Sequence, residues 1–159
     1  MFHGRFEHKV DSKGRVQIPI SLRKADEDTL FSRFILVRGV GGCLSLFTRK
    51  TFDEFVEAFM PDSLGENGTV QFMRQFFSRM EDLNLDNQGR ILIPRLLREE
   101  ADIGDSVLIL GAGKWIEIWD GDRYREHSEE SEISYDDIAR HFFSTLGRKK
   151  EEPAIDNEK

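Results

Sequence analysis

The chain has 159 residues, a single cysteine and a formal net charge of −7. That length buries most of the unfolded surface without a staple, and a lone Cys43 excludes an internal disulfide framework and suits a reducing compartment. No apolar run reaches the length of a membrane span and no charged-then-apolar leader opens the chain, so a soluble, cytoplasmic protein without a membrane partner is expected.

The charge is uneven. Residues 1–80 carry 12 basic and 10 acidic side chains, and residues 81–159 carry 11 and 20. This balance argues against a binder that offers its whole surface to nucleic acid. A local basic face on an acidic body is still compatible with DNA, because counterion release depends on the contact face alone.

The first elements read as strand, turn, strand. His8 and Val10 fall on one face and Lys9 on the other, the period of two of a β-strand. Asp11 opens a turn, where its carboxylate can accept from backbone two residues on, and Gly14 can supply positive φ. Val16 and Ile18 then point inward, with Arg15 and Gln17 outward. Pro19 ends the ladder because it has no N–H, and it can open a short helix at the first position. Leu22 lies where that helix returns to the apolar face.

Two apolar strands from Ile35 to Phe47 flank Gly39-Val-Gly41-Gly42 and read as a hairpin. A strand follows the glycines where a dinucleotide fingerprint needs a helix, so that fingerprint is set aside. Thr51-Phe-Asp-Glu54 reads as a capping box for a helix with Phe52, Phe55, Val56, Phe59 and Met60 on one stripe. Phe72, Met73, Phe76, Phe77 and Met80 form a second helical stripe.

The pattern then returns. Asp86-Asn-Gln-Gly89-Arg90-Ile-Leu-Ile93-Pro94 repeats Asp11-Ser-Lys-Gly14-Arg15-Val-Gln-Ile18-Pro19 with five of nine positions identical. Leu97-Arg98 repeats Leu22-Arg23, and Leu83 and Leu85 take the places of His8 and Val10. Ile91 and Ile93 point inward and Arg90 outward. The stretch from Val107 to Trp119 repeats the hairpin, with Gly111 and Gly113 at its turn. The offset is 75 in the first motif and 72 in the hairpin, which places three extra residues in a loop near Glu27 to Arg33. Internal repetition of this kind sets the architecture before any single residue is weighed.

Ser134 or Asp137 can open a third helix carrying Tyr135, Ile138, Ala139, Phe142, Phe143 and Leu146. Aromatic stripes of this spacing are expected in a core, with part able to bury against another subunit. Residues 148–159 are rich in Lys, Glu and Pro without periodicity and are expected to be disordered. The expected organisation is a first repeat with its helix at 1–60, a connecting helix at 61–79, a second repeat with its helix at 80–147, and the tail. The fold class is mostly β with helices, α+β.

Catalytic signatures are lacking. His3, His8, His127 and His141 form no i, i+4 pair, and no CxxC, GxSxG or P-loop pattern occurs. No nucleophile, base or metal ligand can be named, so neither an enzyme nor a cofactor, metal or small-molecule substrate is expected.

The doubled motif remains. Turn geometry explains its Asp, Gly and Pro. It does not explain why an outward arginine recurs at the same place in both copies. A guanidinium fork matches guanine and phosphate, so Arg15 and Arg90 are the principal candidates for DNA contact. Lys13 suits a phosphate as a point charge, and Gln88 holds its place in the second loop. Asp11 and Asp86 are expected to brace the loop or its arginine, and Gly14 and Gly89 to permit the turn.

At these residues the chain resembles the MraZ family of bacterial transcriptional regulators. Met1-Phe2-His-Gly4, Glu7-His8, Leu85 to Pro94, and Gly111-Ala-Gly113 followed by Glu117-Ile-Trp119-Asp120 carry the likeness, which covers roughly residues 1–147. The resemblance implies two AbrB-like swapped-hairpin repeats interlocked into a double-split β-barrel, flanked by amphipathic helices. It implies a homo-oligomeric ring, a place in the cytoplasm at the nucleoid, and binding to short direct repeats of double-stranded promoter DNA. It also implies repression of the division and cell-wall gene cluster that includes the regulator's own gene. The implied DNA-binding residues are those from Asp11 to Arg15 and from Asp86 to Arg90. An AbrB-like protein-interaction module of the antitoxin type is the alternative. Antitoxins of that type usually carry one repeat per chain, whereas this chain carries two.

Overall fold

In the computed structural model, which describes residues 1–25, 29–59, 67–130 and 133–148, the two repeats exchange strands. The first repeat supplies β1 (Arg5–Lys9), β2 (Arg15–Gln17), α1 (Ile20–Arg23), β3 (Arg33–Arg38) and β4 (Leu44–Phe47). Helices α2 (Arg49–Phe59) and α3 (Asn67–Ser78) follow. The second repeat supplies β5 (Glu81–Asn84), β6 (Arg90–Leu92), α4 (Arg95–Glu100), β7 (Ser106–Gly111) and β8 (Ile116–Trp119). Two further helices are α5 (Gly121–Glu129) and α6 (Tyr135–Arg148).

Six strands make one antiparallel sheet in the order β1-β7-β8-β4-β3-β5, and β2 and β6 make a separate two-stranded ribbon. The order is palindromic in the repeat. β1 of the first repeat pairs with β7 of the second, and β5 of the second pairs with β3 of the first. The ribbon pairs one arm from each repeat, with Val16 opposite Ile91 at its centre. Neither repeat completes its hydrogen bonding alone. The architecture is mixed α+β, and among the described residues the strand pairing forms these two sheets without closing them into one barrel.

Strand alternation decides where the core sits. Phe34 and Leu36 of β3 face the ribbon, while Ile35 and Val37 face the other way, as a period of two requires. On the ribbon side Val16, Ile18, Ile91 and Ile93 are fully buried against Leu44, Leu46, Ile109, Ile116 and Ile118. Each such buried aliphatic contributes about 1.5–3 kcal/mol relative to exposure, so the paired arms are fixed to the sheet. On the opposite side Ile35, Val37 and Phe47 pack with Phe52 of α2 and Phe76 of α3. The stripes of α2 and α3 therefore do line a core, although Phe72 stays half exposed. Met60 lies outside the described residues.

Several local expectations are corrected. Helix α2 begins one turn earlier than the Thr51–Glu54 box suggests. Thr48 is its cap: Thr51 N–H donates to Thr48 Oγ1 at 3.2 Å, and Thr48 N–H donates to Thr51 Oγ1 at 3.1 Å. A threonine hydroxyl here does the reciprocal work usually given to Glu, and Glu54 pairs with Lys114 instead. Pro19 and Pro94 sit just before their helices, not at the first helical position, with extended ψ values of 139° and 144°. Helix α5 has no counterpart in the apolar pattern because none of its residues is fully buried, although Tyr124 packs edge-on against Trp119. It starts where Asp120 Oδ1 accepts from the N–H groups of Asp122 and Arg123.

The chain divides into two compact units, residues 1–125 and 126–159. In the second, α6 is capped by Ser134, whose Oγ accepts from Asp137 N–H at 3.2 Å. Its aromatic stripe is not core. Tyr135, Ile138, Phe142 and Phe143 are all exposed. The expected disordered tail lies, past Arg148, outside the described residues, as does part of the expected insertion near Glu27. No helix among the described residues is long and apolar enough to cross a membrane.

Candidate nucleic-acid interface

The two loops are built alike. In the first, Gly14 N–H donates to Asp11 O and Asp11 N–H to Arg15 O, at 2.9 and 3.0 Å. In the second, Gly89 N–H donates to Asp86 O and Asp86 N–H to Arg90 O, both at 2.9 Å. Both glycines hold positive φ, +86° and +74°, the region that an L side chain rarely adopts.

Each aspartate braces loop and arginine together. Asp11 Oδ1 accepts from the N–H groups of Lys13 and Arg15 at 2.9 Å, and its Oδ2 accepts from Arg15 Nε at 2.6 Å. Asp86 Oδ1 accepts from the N–H groups of Gln88 and Arg90, and its Oδ2 from Arg90 Nε at 2.8 Å. The backbone N–H of Arg15, helped by the Arg15 side chain and Lys13 N–H, pulls the Asp11 carboxyl down to about 2. The Arg90 N–H and side chain likewise lower that of Asp86. Hydrogen bonds to an anion favour the ionised form.

The ribbon brings the loops together. Ile18 N–H donates to Gly89 O and Ile93 N–H to Gly14 O, both at 3.0 Å. Gln17 Nε2 donates to Gln88 O at 2.7 Å. Arg90 Nη1 comes within 3.7 Å of Asp11 Oδ2. The two arginines thus belong to one surface. They do not stand fully in solvent as the outward reading suggests: the side chains of Arg15 and Arg90 are 33% and 25% exposed, since each lies against its aspartate. The aspartate takes the Nε edge of the fork and leaves the Nη groups outside that bond. Lys13 and Gln88 are exposed at the loop tips, while Gly14 and Gly89 are buried.

Sequence reasoning missed the residues beneath the loops. Arg98 lies against Gly14, where an added Cβ would stand 2.7 Å from its Nε. Arg23 lies against Gly89, where an added Cβ would stand 2.7 Å from its Nη2. The signal was present, because Leu22-Arg23 and Leu97-Arg98 repeat in register with the motif. The period of a short helix gives no hint that its arginine reaches into the other repeat.

The chain matches known proteins along this whole region. A family model described as "MraZ protein, putative antitoxin-like" matches residues 1–73 and 76–145. The chain is similar to "Transcriptional regulator MraZ" of Alkaliphilus metalliredigens, with 36% identity over 139 residues, 87% of this chain and 94% of that protein. It is similar to the protein of the same name from Finegoldia magna, with 37% identity over the same shares of both chains.

Proposed function

Because the chain belongs to the MraZ family, we propose that it is a sequence-specific, DNA-binding transcriptional regulator. Its contact face is the pair of loops Asp11–Arg15 and Asp86–Arg90. The observation that supports this most is the joining of two Asp-braced arginines into one surface by the ribbon, with Arg90 reaching Asp11.

The chemistry follows from the fork. The Nη groups of Arg15 and Arg90 can pair with guanine O6 and N7 in the major groove, at about 1–3 kcal/mol of discrimination each, or clamp a phosphate. Lys13 supplies a point charge for a phosphate, and Gln88 a neutral amide at the matching place. Asp11 and Asp86 hold the guanidiniums in position, and pairing with arginine tempers their repulsion of DNA.

One pair of prongs binds weakly. A homo-oligomeric ring that engages several direct repeats gains avidity of roughly 10²–10⁴ when the spacing matches. On this reading the protein sits at the nucleoid in the cytoplasm and represses the division and cell-wall cluster that includes its own gene. The ribbon and the sheet are the two halves of a double-split barrel, and residues 1–60 and 80–147 are its repeat units.

Footprinting on the DNA upstream of its own gene tests the proposal. Protection of regularly spaced short repeats is expected, with log K falling steeply against log salt. No protection, or a flat salt dependence, contradicts it.

The exposed aromatic face of α6 favours a second reading, a protein-interaction module of the antitoxin type. Co-purification with a small toxic protein and no protection of upstream DNA would favour it over the first.

A further inference from the structure

Arg23 closes α1 and Arg98 lies in the last turn of α4, at matched places in the two repeats. Each guanidinium rests on the loop of the other repeat. A Cβ added at Gly89 would fall within contact distance of three atoms of the Arg23 guanidinium. A Cβ added at Gly14 would stand 2.5 Å from Arg98 Cζ and 2.9 Å from its Nη1. Both glycines therefore serve two ends at once. They take a positive φ, and they leave room for a flat cation against the backbone.

We propose that Arg23 and Arg98 are crossed positioning residues: Arg23 sets the second loop through Gly89, and Arg98 sets the first through Gly14. Their consequence for DNA recognition rests on the function proposed above; the crossed support itself does not.

Three features make the crossing more than proximity. First, the backbone is crossed in the same sense, since Ile18 N–H donates to Gly89 O and Ile93 N–H to Gly14 O. Second, Arg23 Nε donates to Ile18 O at 2.9 Å. Residue 18 thus bonds both to the arginine and to the loop that the arginine supports. Third, the contact is a planar one. A guanidinium is a rigid plate, whereas a lysine ammonium is a compact, hydrated point. The two sides are not equal, because Arg98 Nε is buried with no hydrogen-bond partner among the described residues. Packing against Gly14 locates Arg98, while packing and a hydrogen bond locate Arg23. The second loop is accordingly the more firmly held.

The consequence is that neither repeat makes its own reading loop. The arginine that faces outward and the arginine that supports it come from opposite repeats. A change in the short helix of one repeat alters the loop of the other.

The test uses the full chain without DNA. Arg23→Ala is expected to shift the amide resonances of Gln88, Gly89 and Arg90 and to speed their hydrogen exchange about tenfold, with Lys13, Gly14 and Arg15 little changed. Arg98→Ala is expected to do the reverse. Arg23→Lys keeps stem and charge, so it serves where the alanine variant fails to fold, and the same crossed shifts are expected from it. Thermal unfolding supplies a second readout. Gly89→Ala lowers the melting temperature less in an Arg23→Ala background than in the wild type, and no such coupling links Gly89→Ala to Arg98→Ala. The proposal is overturned if each variant disturbs the loop of its own repeat, if lysine leaves the wild-type spectrum unchanged, or if the melting shifts are additive in both pairs. A crossed pattern in a protein that binds no upstream DNA removes the DNA reading and leaves this one standing.

Discussion

Arg90 of the second loop reaches back to Asp11 of the first, with Nη1 3.7 Å from Oδ2. The same oxygen accepts from Arg15 Nε at 2.6 Å. One carboxylate therefore serves both candidate contact residues, while Asp86 pairs with Arg90. The repeat is nearly symmetric in sequence, and its electrostatics are not.

This asymmetry sets the first prediction. Asp11→Asn should move the Nε and Nη resonances of both Arg15 and Arg90 in a nitrogen-detected spectrum. Asp86→Asn should move those of Arg90 alone. Solvent-exposed ion pairs add little to stability, so both variants should keep the melting temperature within a few degrees. Equal effects of the two variants on Arg15 would contradict the shared-carboxylate arrangement.

A pH prediction follows from the same group. The Asp11 carboxyl is held down to about 2, below its ordinary value, chiefly by the Arg15 N–H. A lowered folded value means that the brace contributes above the unfolded value and is lost as pH falls through the folded one. The loop should therefore stay intact down to about pH 4 and loosen as pH falls toward 2. Carboxyl chemical shifts followed through an acid titration check this. A midpoint for Asp11 at the ordinary aspartate value would show that the brace is not formed in solution.

The core prediction concerns the ribbon. Ile91 is fully buried and stands opposite Val16. Ile91→Ala removes packed methyl groups from between the two sheets and should cost about 2–5 kcal/mol in urea unfolding. A change below about 1 kcal/mol would mean that the ribbon is not seated on the sheet, since the transfer term alone exceeds that for a buried side chain.

Much of this was legible in the sequence, and the limits are physical. Alternation at His8, Val10, Val16 and Ile18 marked the inward faces, and the Gly-x-Gly pairs marked hairpins, because both depend on neighbours along the chain. The exchange of β1 and β5 between repeats was not readable from alternation. A period of two names the face that is buried and not the strand that covers it. The same reason hid Arg23 and Arg98, whose partners lie in the other repeat. The aromatic stripe of α6 has the helical spacing of those in α2 and α3, yet Phe142 and Phe143 are exposed where Phe52 and Phe76 are buried. Spacing cannot tell a buried face from an exposed one. For the loops, the Asp and Gly requirements were legible, while the incomplete exposure of the arginines was not, since it depends on a side-chain ion pair.

Cys43, just before β4 and packed with Leu108 and Trp119, offers a further check. Burial, with Glu117 adding its charge, pushes its thiol up to about 12. A thiol is reactive as the thiolate, so the native protein should resist alkylation at pH 8 and react at once in denaturant. Rapid labelling of the native protein would place Cys43 near solvent.

The central claim is that Arg15 and Arg90 act together on DNA, and the affinity of the double variant tests it most directly. Binding of Arg15→Ala/Arg90→Ala to the upstream DNA should weaken at least about thirtyfold relative to the wild type, since each lost fork is worth about 1–3 kcal/mol, while the melting temperature stays within a few degrees. Wild-type affinity in a folded double variant would contradict the account.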